Sequence, residues 1–222
     1  MELDRGALEG VYAALLTHHG PQGWWPAESD FEVVVGAVLI QRTAWRNAEQ
    51  GLAALRAAGL LTADALAASS ARRIEALVRP AGFYRQKAAR LSAVARWLVA
   101  RGGLARLAEL ADDELEAAWL ALPGIGPETA AVICLYAFGR PLFVVDAYAR
   151  RTFARLGWIG GDEPGPTLRR ACEQALDANA ATYNEYHALI VAHAKTHCRP
   201  TPRCAGCPLL RYCAHPAGTA SR

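Results

Sequence analysis

The sequence is poor in lysine, in β-branched runs and in long apolar stretches, and each shortage narrows what the chain can be. No stretch reaches the length of a membrane span without a charged residue, and the first ten residues, MELDRGALEG, lack the apolar core of a secretory signal. We therefore expect a soluble, cytoplasmic protein with no membrane partner. Alanine and leucine dominate instead of β-branched residues, which predicts an all-α fold.

The basic residues are almost all arginine. Of the 24 lysines and arginines, only Lys87 and Lys195 are lysines, and the formal net charge is +3 with a pI near 8.6. So small an excess of positive charge does not by itself indicate a nucleic-acid partner. Arginine suits bidentate phosphate contacts, although a GC-rich genome would enrich it equally well.

Residues 122–130, LPGIGPETA, have the pattern of a helical hairpin. The apolar spacing of 112–121 predicts a first helix, Gly124 and Gly126 allow a sharp turn, and Pro127 suits the first position of a second helix. Backbone N–H groups at such a helix start can bind phosphate without reading base sequence. An ordinary glycine-rich hairpin would have the same pattern.

A single aspartate follows the hairpin at the end of a short apolar run. Residues 143–145, FVV, deliver Asp146 to the start of a predicted helix at 147–156. A carboxylate at this position accepts N–H bonds as a helix cap, which for Asp146 alone is a sufficient explanation. Hairpin, spacing and aspartate together, however, closely resemble the helix-hairpin-helix DNA glycosylases of the endonuclease III superfamily.

The resemblance implies a two-lobed all-α fold, with one lobe formed by 1–25 plus 155–222 and the other by 26–154. It also implies a monomer that binds double-stranded DNA containing a damaged base, near the nucleoid, with Asp146 as the catalytic carboxylate. Gln41 would enter the gap left by the flipped base, and Phe83 would act as an apolar wedge. The full set of implied DNA contacts is Gly124, Ile125, Gly126, Gln41, Arg42, Phe83, Arg85, Lys87 and Arg151.

One position departs from the family pattern. Members that also cut the DNA strand carry a hairpin lysine, and here that position is Glu128. A carboxylate cannot form a Schiff base with an opened sugar. The resemblance therefore implies base excision, with lyase activity weak or absent.

Tryptophans are grouped near the N-terminus. Trp24 and Trp25 stand together in the string GWWP, and Trp45 follows the predicted helix at 31–40. They could fill a seam between lobes, or they could form a stacking wall for a flipped base. The WWP string resembles the 3-methyladenine glycosylase branch, in which loop aromatics line the base pocket.

Four of the six cysteines lie close together near the C-terminus. Cys198, Cys204, Cys207 and Cys213 form the spacing C-x5-C-x2-C-x5-C, which indicates a metal centre rather than disulfides. Spacing alone allows either Zn²⁺ or an iron–sulfur cluster. The resemblance implies a [4Fe–4S] cluster, although the first gap is one residue shorter than in the family.

These observations lead to one expected function and two alternatives. The expected function is a monofunctional glycosylase acting on alkylated purines, whose positive charge would favour an aromatic wall. The alternatives are an endonuclease III-type glycosylase and lyase for oxidised pyrimidines, and a DNA-binding module without catalysis. Loss of base release on changing Asp146 would separate the enzymes from the module.

Overall fold

The computed structural model describes residues 1–215. Over this range the chain forms twelve α-helices, two short 3₁₀ turns at Arg79–Ala81 and Leu210–Tyr212, and no β-strand, so the all-α prediction is confirmed. The helices are α1 Arg5–His19, α2 Asp30–Leu39, α3 Trp45–Ala57, α4 Ala63–Ala68, α5 Ala71–Val78, α6 Tyr84–Ala100, α7 Leu104–Leu107, α8 Asp112–Leu120, α9 Pro127–Phe138, α10 Ala147–Leu156, α11 Gly165–Ala175 and α12 Ala180–Thr196. None of the helices in this part of the chain is both long and apolar enough to cross a membrane. The helices predicted at 31–40, 112–121 and 147–156 and the second helix of the hairpin are all present, as α2, α8, α10 and α9.

The chain divides into two compact units. We call Trp25–Arg140 the hairpin unit and Met1–Trp24 with Pro141–Arg222 the terminal unit. The sequence analysis placed the divisions at 25–26 and 154–155, whereas the structure places them at 24–25, so that Trp25 belongs to the hairpin unit, and at 140–141. The reason is that α10 packs against α12, which assigns the segment containing Asp146 to the terminal unit.

The hairpin unit is built around α2. Ser29 caps this helix by accepting a hydrogen bond from the Glu32 N–H at 3.2 Å, and every residue from Phe31 to Leu39 is buried. Helices α3, α6 and α9 pack around it, which explains why α2 is apolar on all sides. Helices α8 and α9 pack as a pair and form the two arms of the hairpin.

The terminal unit joins the two ends of the described chain. Helix α1 packs against α12, and the Tyr186 hydroxyl donates a hydrogen bond of 2.9 Å to the Leu8 carbonyl. Phe143, Phe153 and Tyr183 extend the aromatic core around Tyr186. Asp146 and the cysteine-rich loop are both attached to this core.

Candidate functional site

The hairpin turn between α8 and α9 requires glycine at one position and leaves space at another. Gly124 has a φ of +85°, and a Cβ there would lie 2.1 Å from Nε of Arg90. Gly126 precedes α9 with an extended backbone, φ −97° and ψ 176°, and nothing lies within 4 Å of the position of its missing Cβ. The surface beside Gly126 is therefore open to an approaching group.

The predicted role of Ile125 needs correction. Its side chain is buried, with 5% exposed, and its N–H donates to the Leu122 carbonyl at 3.1 Å. Ile125 therefore anchors the turn, and its N–H is committed within the hairpin. The first turn of α9 still presents backbone donors that no intrahelical acceptor can satisfy, which is the feature that binds anions. The exposed Glu128 lies in that turn and adds a negative charge there.

Gln41 does not project freely from the end of α2. Its Nε2 donates to the Gly124 carbonyl and to the Thr129 hydroxyl, each at 3.0 Å. Its Oε1 accepts from Nη1 of Arg90 at 2.6 Å. Gln41 is thus attached to the hairpin, and Arg90, which the sequence analysis did not single out, holds it there.

Arg42 and Phe83 form a pair with unusual backbone geometry. Within residues 1–215 they are the non-glycine residues with positive φ, at 55° and 47°. The Arg42 guanidinium carbon lies 5.4 Å from the centroid of the Phe83 ring, and the Phe83 side chain is 55% exposed. Such conformations are costly and cluster at functional sites, so an exposed Phe83 fits the predicted wedge.

Lys87 is not available for the phosphate contact predicted from the sequence. Its side chain is 1% exposed, and its ammonium donates to the carbonyls of Leu39 and Ala81 at 2.9 and 2.7 Å. Burial, together with the positive charge of Arg90, lowers the pKa of Lys87 to about 8. Its role is to link the end of α2 to the loop before α6. Arg85, by contrast, is exposed.

Two of the three predicted pocket tryptophans meet in the hairpin unit. The rings of Trp25 and Trp45 lie edge to face with centroids 5.1 Å apart, and Trp25 also lies 5.4 Å from Tyr136. Gly36 makes room for this group, since a Cβ there would lie 3.0 Å from the Trp25 ring. Tyr136 was missed because it lies in an apolar helix. The feature visible in the sequence is a tyrosine within an otherwise apolar run, and in the structure Tyr136 is only partly buried.

Trp24 belongs to the terminal unit, where the loop before it is fixed to α12. The Glu185 carboxylate accepts from the Gln22 N–H at 2.6 Å and from the Gly23 N–H at 3.4 Å. The Gln22 side chain in turn donates to the carbonyls of His19 and Gly20. These contacts hold the backbone that precedes Trp24.

Asp146 is both a helix cap and a mostly buried carboxylate. Its Oδ1 accepts from the Ala149 N–H at 2.8 Å, which caps α10. Its Oδ2 lies 3.5 Å from Nε2 of His187, and the two side chains are 14% and 8% exposed. Burial raises the pKa of Asp146, but the hydrogen bond and charge of His187 and the N–H groups of Ala149 and Tyr148 together lower it below its ordinary value. The sequence analysis missed His187.

Arg151 donates hydrogen bonds within the terminal unit, and its contact with DNA stays a prediction. Its Nε donates to the Cys198 carbonyl at 2.7 Å, and its Nη2 donates to the Ala194 carbonyl at 3.4 Å. Arg155, one turn later, donates to the Arg199 carbonyl at 2.6 Å and lies 3.3 Å from Sγ of Cys198. Helix α10 therefore carries Asp146 at its start and supports the cysteine-rich loop from its second half.

The four clustered cysteines share one recess of the terminal unit. Cys198, Cys204, Cys207 and Cys213 line it together with His193, His197 and Arg155. Sγ of Cys207 lies 3.8 Å from Nε2 of His193, and Sγ of Cys213 lies 3.4 Å from the Arg155 carbonyl. Across residues 1–215 no three His, Cys, Asp or Glu side chains are arranged to hold a single metal ion. All four residues are cysteines and they line the same recess, so they fit a cofactor that is held by four thiolates.

Comparison with known proteins identifies the family. Residues 35–177 match the family of HhH-GPD superfamily base excision DNA repair proteins. A Methanocaldococcus jannaschii protein provisionally named a DNA repair glycosylase is 41% identical over 206 residues, covering 91% of this chain and 94% of the relative. Endonuclease III of Thermotoga maritima is 30% identical over 184 residues, covering 82% of each chain.

Among solved structures, the fold is similar to that of the H. pylori 3-methyladenine DNA glycosylase MagIII bound to 1,N6-ethenoadenine. The TM-score is 0.74 at 26% identity, with 87% of this chain and 98% of the other covered. The family match spans more than half of the chain and includes the hairpin and Asp146. This protein therefore belongs to the HhH-GPD superfamily of base excision DNA repair proteins and is a DNA glycosylase of the endonuclease III type of fold.

Proposed function

We propose that this protein removes alkylated purines from double-stranded DNA as a monofunctional glycosylase, with Asp146 as the catalytic carboxylate. The observation that carries the proposal is the mostly buried Asp146 carboxylate, held by the Ala149 N–H and by His187. A carboxylate kept ionised in a mostly buried position is what a reaction with a developing positive charge requires.

The chemistry follows from the bond that breaks. As the bond between C1′ and the base nitrogen lengthens, positive charge builds on the sugar, as in other glycoside cleavage. Asp146 would stabilise that charge and orient the water that adds at C1′. The base leaves with the bonding electrons, and an alkylated purine that begins as a cation leaves as a neutral molecule. Such a base therefore needs little help from a general acid.

DNA would be held by the hairpin through backbone donors near Gly126, a contact that does not depend on base sequence. The exposed Phe83 ring and Gln41 would fill the gap left when the damaged nucleotide rotates out of the duplex. Arg42, in contact with Phe83, and the exposed Arg85 would add positive charge beside the wedge.

The preference for alkylated purines is supported by the aromatic group of Trp25, Trp45 and Tyr136 in the hairpin unit. Aromatic faces attract a cationic base by stacking and by cation–π attraction. Trp24 stays a proposed pocket residue of the terminal unit, where Glu185 holds the loop that precedes it. The similarity to a 3-methyladenine glycosylase adds to this argument.

Weak or absent lyase activity is supported by the placement of the amines. The family's lysine position is Glu128, and Lys87 is buried on two carbonyls. Lys195 is exposed in the last turn of α12. The hairpin itself, LPGIGPETA, therefore carries no amine side chain to act as the family's nucleophile.

Cys198, Cys204, Cys207 and Cys213 would hold a [4Fe–4S] cluster, and a zinc ion is the alternative. Either group would cross-link the loop when bound, and an iron–sulfur cluster would in addition supply a redox-active centre. Arg151 and Arg155 already connect the start of this loop to α10, so the loop and the helix that Asp146 caps support each other.

The second candidate is an endonuclease III-type enzyme for oxidised pyrimidines, favoured by the 30% identity to a Thermotoga endonuclease III. Single-lesion duplexes separate the two functions. We expect release of 3-methyladenine with strand cleavage only after alkali, and little trapping by borohydride. Efficient release of oxidised pyrimidines with alkali-independent cleavage would overturn the proposal in favour of the second candidate.

A further inference from the structure

A cluster of four side-chain and backbone groups joins the end of α2 to the hairpin. Nη1 of Arg90 contacts Oε1 of Gln41 at 2.6 Å, and Nε2 of Gln41 contacts the Gly124 carbonyl and the Thr129 hydroxyl, each at 3.0 Å. Arg90 comes from α6, so three separate segments of the hairpin unit meet at one amide. All of these groups lie within the same compact unit.

The chemistry of Arg90 determines which way the amide of Gln41 points. A guanidinium only donates hydrogen bonds, so the atom facing Arg90 must be the amide oxygen. The amide nitrogen then faces two acceptors, the Gly124 carbonyl and the Thr129 hydroxyl, and both of its hydrogens are used. The part of the Gln41 amide that is still able to bond a DNA base is the second lone pair of Oε1, which can accept a hydrogen bond.

The left-handed backbone at Gly124 disfavours a side chain there, and a side chain would also displace the end of Arg90. A Cβ there would lie 2.1 Å from Nε, 2.7 Å from Cδ and 2.9 Å from Cζ of Arg90. The Arg90 side chain therefore lies directly against the turn as well as against Gln41. A movement of the hairpin turn would therefore move Gln41 as well, because Gln41 is bonded both to the turn and to Arg90.

We propose that Arg90 is a positioning residue that fixes Gln41 on the hairpin turn, so that the side chain entering the DNA gap and the turn that grips phosphate act as one rigid part. The inference rests on the proposed function, because it requires Gln41 to enter the gap. It adds a residue on α6 that contacts neither the base nor the sugar and acts through Gln41.

The first test is spectroscopic and needs no DNA. In the full-length wild-type protein, the side-chain amide protons of Gln41 should exchange slowly and resonate away from those of the exposed Gln86. In Arg90→Met they should move towards the Gln86 signals and exchange faster. Unchanged Gln41 signals in Arg90→Met would overturn the proposal.

The second test is a double-mutant cycle with Arg90→Met and Gln41→Met. The readout is the ratio of affinities for a duplex carrying a tetrahydrofuran abasic-site analogue and for the same duplex intact. Loss of a hydrogen bond to a charged group should lower this ratio about tenfold or more in each single variant. The double variant should fall no further than Gln41→Met, because Arg90 acts through Gln41.

Two controls distinguish the other roles that Arg90 could have. Arg96→Met, an exposed position of the same helix, should leave the ratio unchanged. Arg90→Lys keeps the positive charge without the fork of donors, so it should bind intact duplex with wild-type affinity and still lower the ratio. Equal loss of affinity for both duplexes in Arg90→Met would mean that Arg90 is a phosphate contact, and would overturn the proposal.

Failure of the inference and failure of the proposed function look different. If the wild-type protein neither prefers the abasic analogue nor releases any base, the proposed function fails, and the inference with it. If the wild-type protein does both and Arg90→Met merely unfolds at lower temperature with an unchanged ratio, only the inference fails.

Discussion

Nε2 of His187 lies 3.5 Å from Oδ2 of Asp146, and the contact is mostly shielded from solvent. The Ala149 N–H occupies the other carboxylate oxygen. Each partner favours the ionised carboxylate, and together they outweigh the burial that opposes it, so the pKa of Asp146 falls below its ordinary value. The anion is therefore prepared before DNA binds.

Removing His187 should raise the pH at which the rate of base excision begins to fall as the solution is made more acidic. The folded-state pKa of Asp146 is lowered by His187, so His187→Leu should raise it, and the active anion should be lost earlier as the pH falls. The measurement is the single-turnover rate of base release across the pH range. Tyr183→Phe, a change at a buried position of the same helix, should keep the wild-type profile. An unshifted profile in His187→Leu would show that His187 does not set the ionisation of Asp146.

The two hairpin glycines should respond differently to substitution. Gly126→Asn should fold normally, because the site is open and asparagine is a good helix cap, but its side chain would take the donors that phosphate needs. Affinity should fall equally for damaged and undamaged duplex. Gly124→Ala should instead lower the free energy of unfolding by about 1–2 kcal/mol or more, because of its positive φ and the clash with Arg90. If Gly126→Asn lost affinity for damaged duplex alone, the prediction of a phosphate contact at this turn would be wrong.

Trp25→Ala should reduce excision of an alkylated purine while leaving affinity for undamaged duplex nearly unchanged. Loss of one base stack costs about 1–3 kcal/mol, which corresponds to roughly a 5- to 150-fold lower rate if the stack is made in the reacting complex. Trp97→Ala is the matched control, since Trp97 pairs with Trp119 at 5.0 Å in the same unit. If both variants lose stability alike and keep activity, Trp25 is a core residue.

Protein purified without oxygen should be brown and carry about four irons per chain if the four cysteines hold a [4Fe–4S] cluster. Cys204→Ser should lose the colour and loosen the loop, as measured by hydrogen exchange after Cys198. Cys172→Ala, at a buried cysteine outside the recess, should stay brown. A colourless wild-type protein with one zinc ion would support the alternative metal.

The sequence predicted the helices well because their apolar periodicity and their Ser, Thr, Asp and Asn caps are local signals. Asp146 as a cap, the open turn at Gly126 and the grouping of the four cysteines could likewise be expected from short segments. The sequence grouped Trp24, Trp25 and Trp45 as pocket candidates, and of these Trp25 and Trp45 are in contact, while Trp24 lies in the other unit.

Contacts made by long side chains across helices were not predictable in the same way. Lys87 was expected on the DNA side, yet its ammonium turns inward to two carbonyls. Arg151 likewise turns to the Cys198 carbonyl. No sequence motif identifies Arg90 or His187, since their partners, Gln41 and Asp146, lie 49 and 41 residues away in the chain. Such roles depend on which helices pack together, and periodicity alone does not determine that.

The central claim is that the mostly buried Asp146 carboxylate drives base release, and Asp146→Asn tests it most directly. Asparagine keeps an oxygen that can accept from the Ala149 N–H, so the cap of α10 and the fold should remain. In single-turnover assays on a duplex with one alkylated purine, the rate of base release should fall about 100-fold or more, with unchanged affinity for the abasic analogue. A folded Asp146→Asn protein that releases the base at the wild-type rate would contradict the account.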